Sequence, residues 1–249
     1  MGKLWKQDKG PGETGPPESE RVASTVANQV KLVMYSGGQL AANRQLHQGL
    51  MDLVGPKRKI RMTYIPYCHE GAAVYYSRFQ RRYRGFGATD FHYLAPDQPI
   101  TDQSLQKALS SDVIYLAGGN TFYFLKHLRK TGLLKRFKSF AQNGGVLAGL
   151  SAGAIILTPN IEMAHFPPYE VDDNDVGLKN LKGMNLVNFE FYPHYVNSKR
   201  MNEAMLMYSL ISKYPVVACA DGHGLIIDGN KRSFLGPANV FFKGKKLSL

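Results

Sequence analysis

The chain has 249 residues, of which 44% are hydrophobic, and a formal net charge of +12. This size suffices for one core with helices packed around a sheet, and no run is long and apolar enough to predict a membrane-spanning helix. The first residues of the sequence lack the apolar stretch that is typical of a secretory signal. The two cysteines, Cys68 and Cys219, form neither a disulfide framework nor a metal motif, so we expect a cytoplasmic location.

The positive charge falls in three separate clusters rather than in one basic motif. They are Arg78–Arg84, Lys126–Lys138 and Lys243–Lys246. The middle cluster follows amphipathic helix patterns, on which charge is normally solvated. No common nucleic-acid-binding module is apparent. We interpret the charge as favouring solubility or the attraction of acidic substrates, and we expect no nucleic-acid partner.

The first predicted elements are an N-terminal arm and three strands. Residues 1–29 are rich in glycine and proline and predict a disordered arm, either native or left from expression. From residue 30 the pattern alternates strand and helix. Strands are predicted at Lys31–Tyr35, which ends in Ser36-Gly37-Gly38, at Lys59–Pro66 and at Phe91–Leu94.

The next elements lead to a glycine-rich turn. Asp102 caps a predicted short helix that runs to Leu109. The continuous apolar run Val113–Ala117 is typical of a central parallel strand that is buried on both faces. It ends in Gly118-Gly119-Asn120-Thr121, after which two helices are predicted, the second running to Gly144-Gly145.

A serine lies at the turn that follows. The apolar strand Val146–Ala148 is succeeded by Gly149-Leu150-Ser151-Ala152-Gly153, and then by a small-residue helix. A serine flanked by glycines at a strand-to-helix turn is typical of an exposed nucleophile. The N–H groups at the start of such a helix face an anionic oxygen. The sequence therefore predicts a serine hydrolase with Ser151 as its nucleophile.

The remaining elements complete one α/β domain over residues 30–249. A long irregular stretch, 159–181, contains an acidic group. The later predictions are strands at Phe189–Tyr192, Val216–Ala220, Leu225–Asp228, Ser233–Leu235 and Val240–Lys243, and a helix from Lys199 to Tyr214. They predict three layers: a mostly parallel central sheet, helices on both of its faces, and a C-terminal β-hairpin.

The serine needs a base and an acid that orients the base. Two of the seven histidines stand out because each lies at a predicted strand exit, His194 and His223. The order Ser151, Asp172, His223 would suit an α/β-hydrolase. However, that fold places several strands after the serine, whereas here the sheet lies mostly before it.

Four segments together carry a resemblance to a known family. They are Gly118-Gly119-Asn120-Thr121-Phe122, Gly149-Leu150-Ser151-Ala152-Gly153-Ala154, Pro193-His194-Tyr195, and Asp221-Gly222 with the later Leu235-Gly236-Pro237-Ala238-Asn239. In order and spacing the chain resembles the dipeptidase E (aspartyl dipeptidase) and cyanophycinase family of serine peptidases from about Val30 to Lys243. The resemblance implies the class I glutamine amidotransferase-like fold.

The resemblance also implies roles for individual residues. Ser151 would be the nucleophile and His194 the general base. The backbone N–H of Ala152 and one from Gly118 or Gly119 would form the oxyanion hole.

The orienting acid is left open at this point. The family has a glutamate where Asp221 stands, and this shorter side chain would need a closer backbone. A second acidic position implied by the family falls on Glu170 or Asp172.

The expected substrates are short peptides with an acidic N-terminal residue. Asn120 and Arg200 are the predicted substrate-binding residues, since the family holds the acidic side chain with a basic residue after the catalytic histidine, where Lys199 and Arg200 lie. No metal or organic cofactor and no membrane partner is expected, and a homodimer is left open. The alternatives are an amidase or esterase on the same fold and a non-catalytic binding protein.

Overall fold

A computed structural model describes residues 30–37, 41–57, 59–169 and 171–249. The predicted arm at 1–29 and the candidate acid Glu170 lie outside the described residues. The strands are β1 Lys31–Tyr35, β2 Ile60–Ile65, β3 Ala88–Tyr93, β4 Val113–Leu116, β5 Val146–Leu150, β6 Glu190–Tyr192, β7 Val216–Cys219, β8 Gly224–Asp228, β9 Lys231–Leu235, β10 Ala238–Phe242 and β11 Lys245–Ser248. The helices are α1 Arg44–Val54, α2 Ala72–Arg84, α3 Asp102–Leu109, α4 Thr121–Lys130, α5 Leu133–Gln142, α6 Ala152–Ile156 and α7 Lys199–Ile211, with 3₁₀ turns at Ala41–Asn43 and Glu162–His165.

Seven strands form the central sheet in the order β3-β2-β4-β5-β1-β8-β9. The first five of these strands are parallel to one another, whereas β8 pairs antiparallel with both β1 and β9. This confirms the predicted α/β class with a mostly parallel sheet and a C-terminal hairpin. Because parallel strands end at one edge, the turns after β1, β4 and β5 meet there.

A second, four-stranded sheet has the order β11-β10-β7-β6. The sequence predicts a single sheet and no strand at Lys245–Ser248, so the second sheet and β11 are differences from that prediction. Strand β6 is parallel to β7, and β10 pairs antiparallel with both β7 and β11. Pairing between distant strands depends on tertiary contacts, which the local sequence pattern does not encode. The consequence is that the segments after β6 and β7 come from a different sheet than the turns after β1, β4 and β5.

The central sheet buries apolar side chains on both of its faces. In β1, Leu32 and Met34 belong to one core, and Val33 and Tyr35 to the other, because successive strand residues point to opposite faces. Helices α4, α5 and α6 cover the first face, and α1 and α2 cover the second. The predicted three layers are therefore present.

The sequence prediction does not give helix α1 as a separate element, although the spacing of its apolar residues is that of a helix. Leu46, Leu50 and Leu53 are buried on one face at helical spacing. Helix α7 ends at Ile211, earlier than the predicted Tyr214. Among the described residues, no helix has both the length and the apolar character needed to cross a bilayer.

Candidate active site

Ser151 occupies the turn between β5 and α6 in a backbone conformation that is rare for a residue with a side chain. Its φ is 50° and its ψ is −112°. Such positive φ values persist only where the surroundings enforce them. Here the Ser151 amide donates to the Tyr35 carbonyl at 3.0 Å, and the Ser151 carbonyl accepts from the Ala154 amide at 2.8 Å. The turn thus holds Ser151 in a fixed orientation with its side chain half-buried.

The glycines on both sides of Ser151 are required by close packing. A β-carbon added at Gly149 would lie 2.5 Å from the carbonyl carbon of Gly153. A β-carbon added at Gly153 would lie 2.4 Å from the backbone oxygen of Leu116 in β4. Both neighbours are backbone atoms that cannot rotate away. The small residues around the serine therefore let α6 start directly against β4 and β5.

The structure brings Ser151, His194 and Asp221 together in one line of hydrogen bonds. Ser151 Oγ lies 2.8 Å from His194 Nε2, and His194 Nδ1 lies 2.6 Å from Asp221 Oδ1. The histidine follows β6 and the aspartate follows β7, so both come from the second sheet. The side chains of His194 and Asp221 are 50% and 46% exposed, which leaves the line accessible to a substrate.

The hydrogen-bond partners determine which ring nitrogen carries the proton. A carboxylate can only accept, so Nδ1 of His194 donates to Asp221. In the neutral imidazole, Nε2 is then the acceptor, and the Ser151 hydroxyl donates to it. This arrangement can remove the hydroxyl proton during attack on a carbonyl.

Gly37, which directly follows Ser36 after β1, lies against the histidine and the acid. A β-carbon at this position would be 2.2 Å from His194 Cε1 and 2.5 Å from Asp221 Oδ1. The sequence shows this serine-glycine strand end but does not by itself indicate its contact with the histidine. The feature that could have indicated a role for these small residues is their place at the carboxyl end of a predicted central strand.

Gly118 lies beside the serine, as an oxyanion-hole residue must. A β-carbon built on it would lie 3.5 Å from Ser151 Cβ. Gly119 adopts a φ of 142° and contacts the ring of Tyr67 so closely that a β-carbon there would lie 2.0 Å from Cδ1. The roles of Gly118, Gly119 and Ala152 in binding an oxyanion stay predictions.

Asn120 and Asp172 make hydrogen bonds within the protein at the start of α4. Asn120 Oδ1 accepts from the Tyr123 amide at 2.8 Å, and its Nδ2 donates to the Asp173 carbonyl at 2.7 Å. Asp172 Oδ2 accepts from the Thr121 amide at 2.8 Å. Asn120 is therefore the N-cap of α4, and its predicted contact with substrate stays a prediction.

A cavity of about 270 Å³ adjoins the serine. Asp172 lines it together with Ser151 and His194, and its carboxyl group accepts the hydrogen bond from the Thr121 amide. A larger cavity of about 720 Å³ is lined by Lys31 and Val146, which are the first residues of β1 and β5. Ser151 follows the last residue of β5, so this cavity is remote from the serine.

Arg200 does not line the cavity beside Ser151. It is exposed in the first turn of α7, and its guanidinium carbon lies 3.6 Å from the centre of the Tyr169 ring. The competing histidine, His223, is also outside the hydrogen-bonded line. Its ring lies beside Gly236, at which an added β-carbon would be 2.0 Å from Cδ2.

Comparison with known proteins identifies relatives over most of the domain. The family model for peptidase family S51 matches residues 32–235. An uncharacterized peptidase of Pasteurella multocida (strain Pm70) is 31% identical over 136 residues, which is 55% of this chain and 63% of the relative. A peptidase E of Nostoc sp. is 28% identical over 99 residues, covering 40% and 38% of the two chains. The matches to the first curated relatives span between 41% and 63% of their lengths.

Two solved structures share the fold. The crystal structure of a Listeria monocytogenes EGD-e protein assigned to peptidase E superposes with a TM-score of 0.64 at 23% identity, covering 82% of this chain and 97% of the other. A peptidase from an acI-B1 Actinobacterium gives a TM-score of 0.64 at 16% identity, covering 90% and 95%. At these identities the likeness concerns the fold alone.

Proposed function

The chain belongs to peptidase family S51, and we propose that it is a serine peptidase in which Ser151 attacks the peptide carbonyl. One observation carries the proposal: the hydrogen-bonded line from Ser151 through His194 to Asp221, with distances of 2.8 and 2.6 Å. A nucleophile, a base and an acid that orients the base are the three parts that acyl transfer by a serine requires.

The first half-reaction forms an acyl-enzyme. His194 Nε2 takes the Ser151 hydroxyl proton as Oγ bonds to the carbonyl carbon, and Asp221 stabilises the imidazolium. The carbonyl electrons move to oxygen, where the N–H groups of Ala152 and of Gly118-Gly119 would bind the negative charge. The tetrahedral intermediate then collapses, and the imidazolium gives its proton to the leaving amine.

The second half-reaction releases the acid product. His194 removes a proton from water, the water oxygen bonds to the acyl carbon, and the proton returns to Ser151 Oγ as the ester bond breaks. The half-exposed imidazole supports this step, because solvent reaches it without a rearrangement of the protein.

We propose short peptides with an acidic N-terminal residue as substrates. Arg200 supports this choice, because its guanidinium lies over the Tyr169 ring. The N–H donors of a guanidinium point outward in its own plane, where a carboxylate can form a forked pair with them. An opposing observation favours basic residues instead. Four acidic residues line a cavity of about 320 Å³ next to Asn120: Glu70, Asp97, Asp173 and Asp175.

A dipeptide panel tests both the activity and the preference. The wild-type protein is incubated with Asp-Leu, Lys-Leu and Leu-Leu, and released leucine is measured by mass spectrometry. Asp-Leu is expected to be cleaved fastest, and Arg200→Ala is expected to raise KM for Asp-Leu alone. Faster cleavage of Lys-Leu would assign specificity to the acidic cavity instead.

The serine itself is tested by Ser151→Ala, with Ser139→Ala on an exposed position of α5 as the matched control. Turnover is expected to fall by roughly 10³-fold or more in the first variant and to remain unchanged in the second. Turnover that survives in Ser151→Ala would contradict the mechanism. Cleavage restricted to p-nitrophenyl esters would favour an esterase, and no turnover of any substrate would favour a non-catalytic binding protein.

A further inference from the structure

Ser36, directly after β1, exposes none of its surface, and its hydroxyl joins two backbone segments. The hydroxyl oxygen accepts a hydrogen bond from the His194 amide at 2.7 Å, and the O–H group donates one to the Cys219 carbonyl at 2.7 Å. The Ser36 amide donates to the His223 carbonyl at 3.0 Å. The residue that directly follows β1 is therefore bonded to the segments on both sides of Asp221 and to the backbone of the histidine.

The His194 backbone needs such support. Its φ is 57°, in the left-handed region that residues with a side chain seldom adopt. The neighbouring Tyr195 amide donates to the same Cys219 carbonyl at 3.0 Å. Together these bonds connect the residues around His194 to the end of β7, two residues before Asp221.

The exposure of the catalytic side chains makes this backbone arrangement important. The imidazole and the carboxylate are about half exposed, so packing holds each of them on only part of its surface. The direction of the imidazole therefore depends strongly on the backbone at position 194. Near-attack geometry tolerates little error, since a misplacement of about 1 Å can lower a rate by roughly 10²-fold.

We propose that Ser36 is a positioning residue of this site, whose hydroxyl holds the His194 backbone against the end of β7 so that Nε2 faces Ser151 and Nδ1 faces Asp221. The inference rests on the proposed function of His194 as general base. Ser36 contacts no reacting atom, and it acts through the histidine.

The test compares Ser36→Ala with a matched control, Ser209→Ala. Ser209 is also fully buried, and its hydroxyl donates to the Leu206 carbonyl at 2.8 Å and accepts from the Gly244 amide at 3.0 Å. Both variants lose the same kind of bridge, but only Ser36 is bonded to the backbone of the histidine. A general loss of stability would affect both variants alike.

Three measurements are made on each variant: kcat and KM on the cleaved dipeptide, the rate at which a fluorophosphonate labels Ser151, and the proton NMR signal of the Nδ1–H that is bonded to Asp221. Ser36→Ala is expected to lower kcat and the labelling rate by about tenfold or more with little change in KM, and to broaden or abolish the NMR signal. Ser209→Ala is expected to retain all three, and Ser36→Cys, which keeps a weak donor and acceptor, is expected to give intermediate rates.

Ser36→Ala with wild-type kcat, labelling and NMR signal would overturn the inference alone. A wild-type protein whose Ser151 is not labelled would overturn the proposed function and this inference with it. If Ser36→Ala does not fold by circular dichroism, Ser36→Cys replaces it, and unchanged rates in that variant would count against the role of Ser36.

Discussion

Replacing Gly37 by alanine is expected to disable the site while leaving the fold intact. The added β-carbon would lie 2.2 Å from His194 Cε1 and 2.5 Å from Asp221 Oδ1. The φ of Gly37 lies outside the left-handed region, so alanine causes no backbone strain there. The whole effect should therefore come from the collision with the two side chains.

The size of the effect follows from these distances. Two carbon atoms pack at about 3.5 Å, so the His194 ring must move by roughly 1.3 Å to accept the new methyl group. Because that ring is half exposed, it can move into solvent at little cost in stability. A displacement of this size is expected to lower kcat by about 10²-fold, which corresponds to roughly 2.7 kcal/mol in activation free energy.

The assay is steady-state cleavage of the preferred dipeptide, with the melting temperature measured by calorimetry. Gly85→Ala is the matched control, because that glycine has a helical φ of −64° and its added β-carbon would lie 3.2 Å from the Arg82 carbonyl oxygen, away from the site. Gly37→Ala with wild-type kcat would refute the argument, since the imidazole would then not need the position seen here. An equal loss of activity in Gly85→Ala would refute it as well.

Three further changes test other parts of the structure. Asp221→Asn is expected to lower kcat by on the order of 10⁴-fold, because an amide does not hold the imidazole in the required tautomer; a loss below tenfold in steady-state kinetics would reject this acid. Gly153→Ala places a methyl group 2.4 Å from the Leu116 backbone oxygen. It is expected to lower the free energy of unfolding, measured by urea denaturation, by about 1–3 kcal/mol; unchanged stability would reject the packing argument. Burial raises the pKa of the Glu190 carboxyl group, although the hydrogen bond from Asn160 opposes this shift. The native state therefore binds the carboxyl proton more tightly than the unfolded state does. As a result, the native state loses stability as the pH rises through the raised pKa. Glu190→Gln lacks this loss, so its melting temperature relative to wild type should be higher at pH 8 than near the ordinary glutamate pKa of about 4.3; a difference independent of pH would contradict this.

The sequence alone was sufficient for the fold class and for the elements with strong local signals. The run Val113–Ala117 predicted a central strand because burial on both faces requires apolar residues at every position. The turn around Ser151 was predictable because its glycines are a local necessity of close packing between β5, α6 and β4. Family resemblance distinguished His194 from His223, the other histidine at a predicted strand exit.

Only the tertiary structure decided how the site is assembled. The pairing of β6 and β7 in a second sheet brings His194 and Asp221 within hydrogen-bonding distance, and no local pattern specifies that pairing. For the same reason the sequence left the acid open among Asp221, Glu170 and Asp172, since loop length does not determine where a carboxylate lies. The contacts of Gly37 likewise join residues that are more than 150 positions apart in the sequence. Contacts between such distant residues depend on how the whole chain folds, and local composition does not specify them.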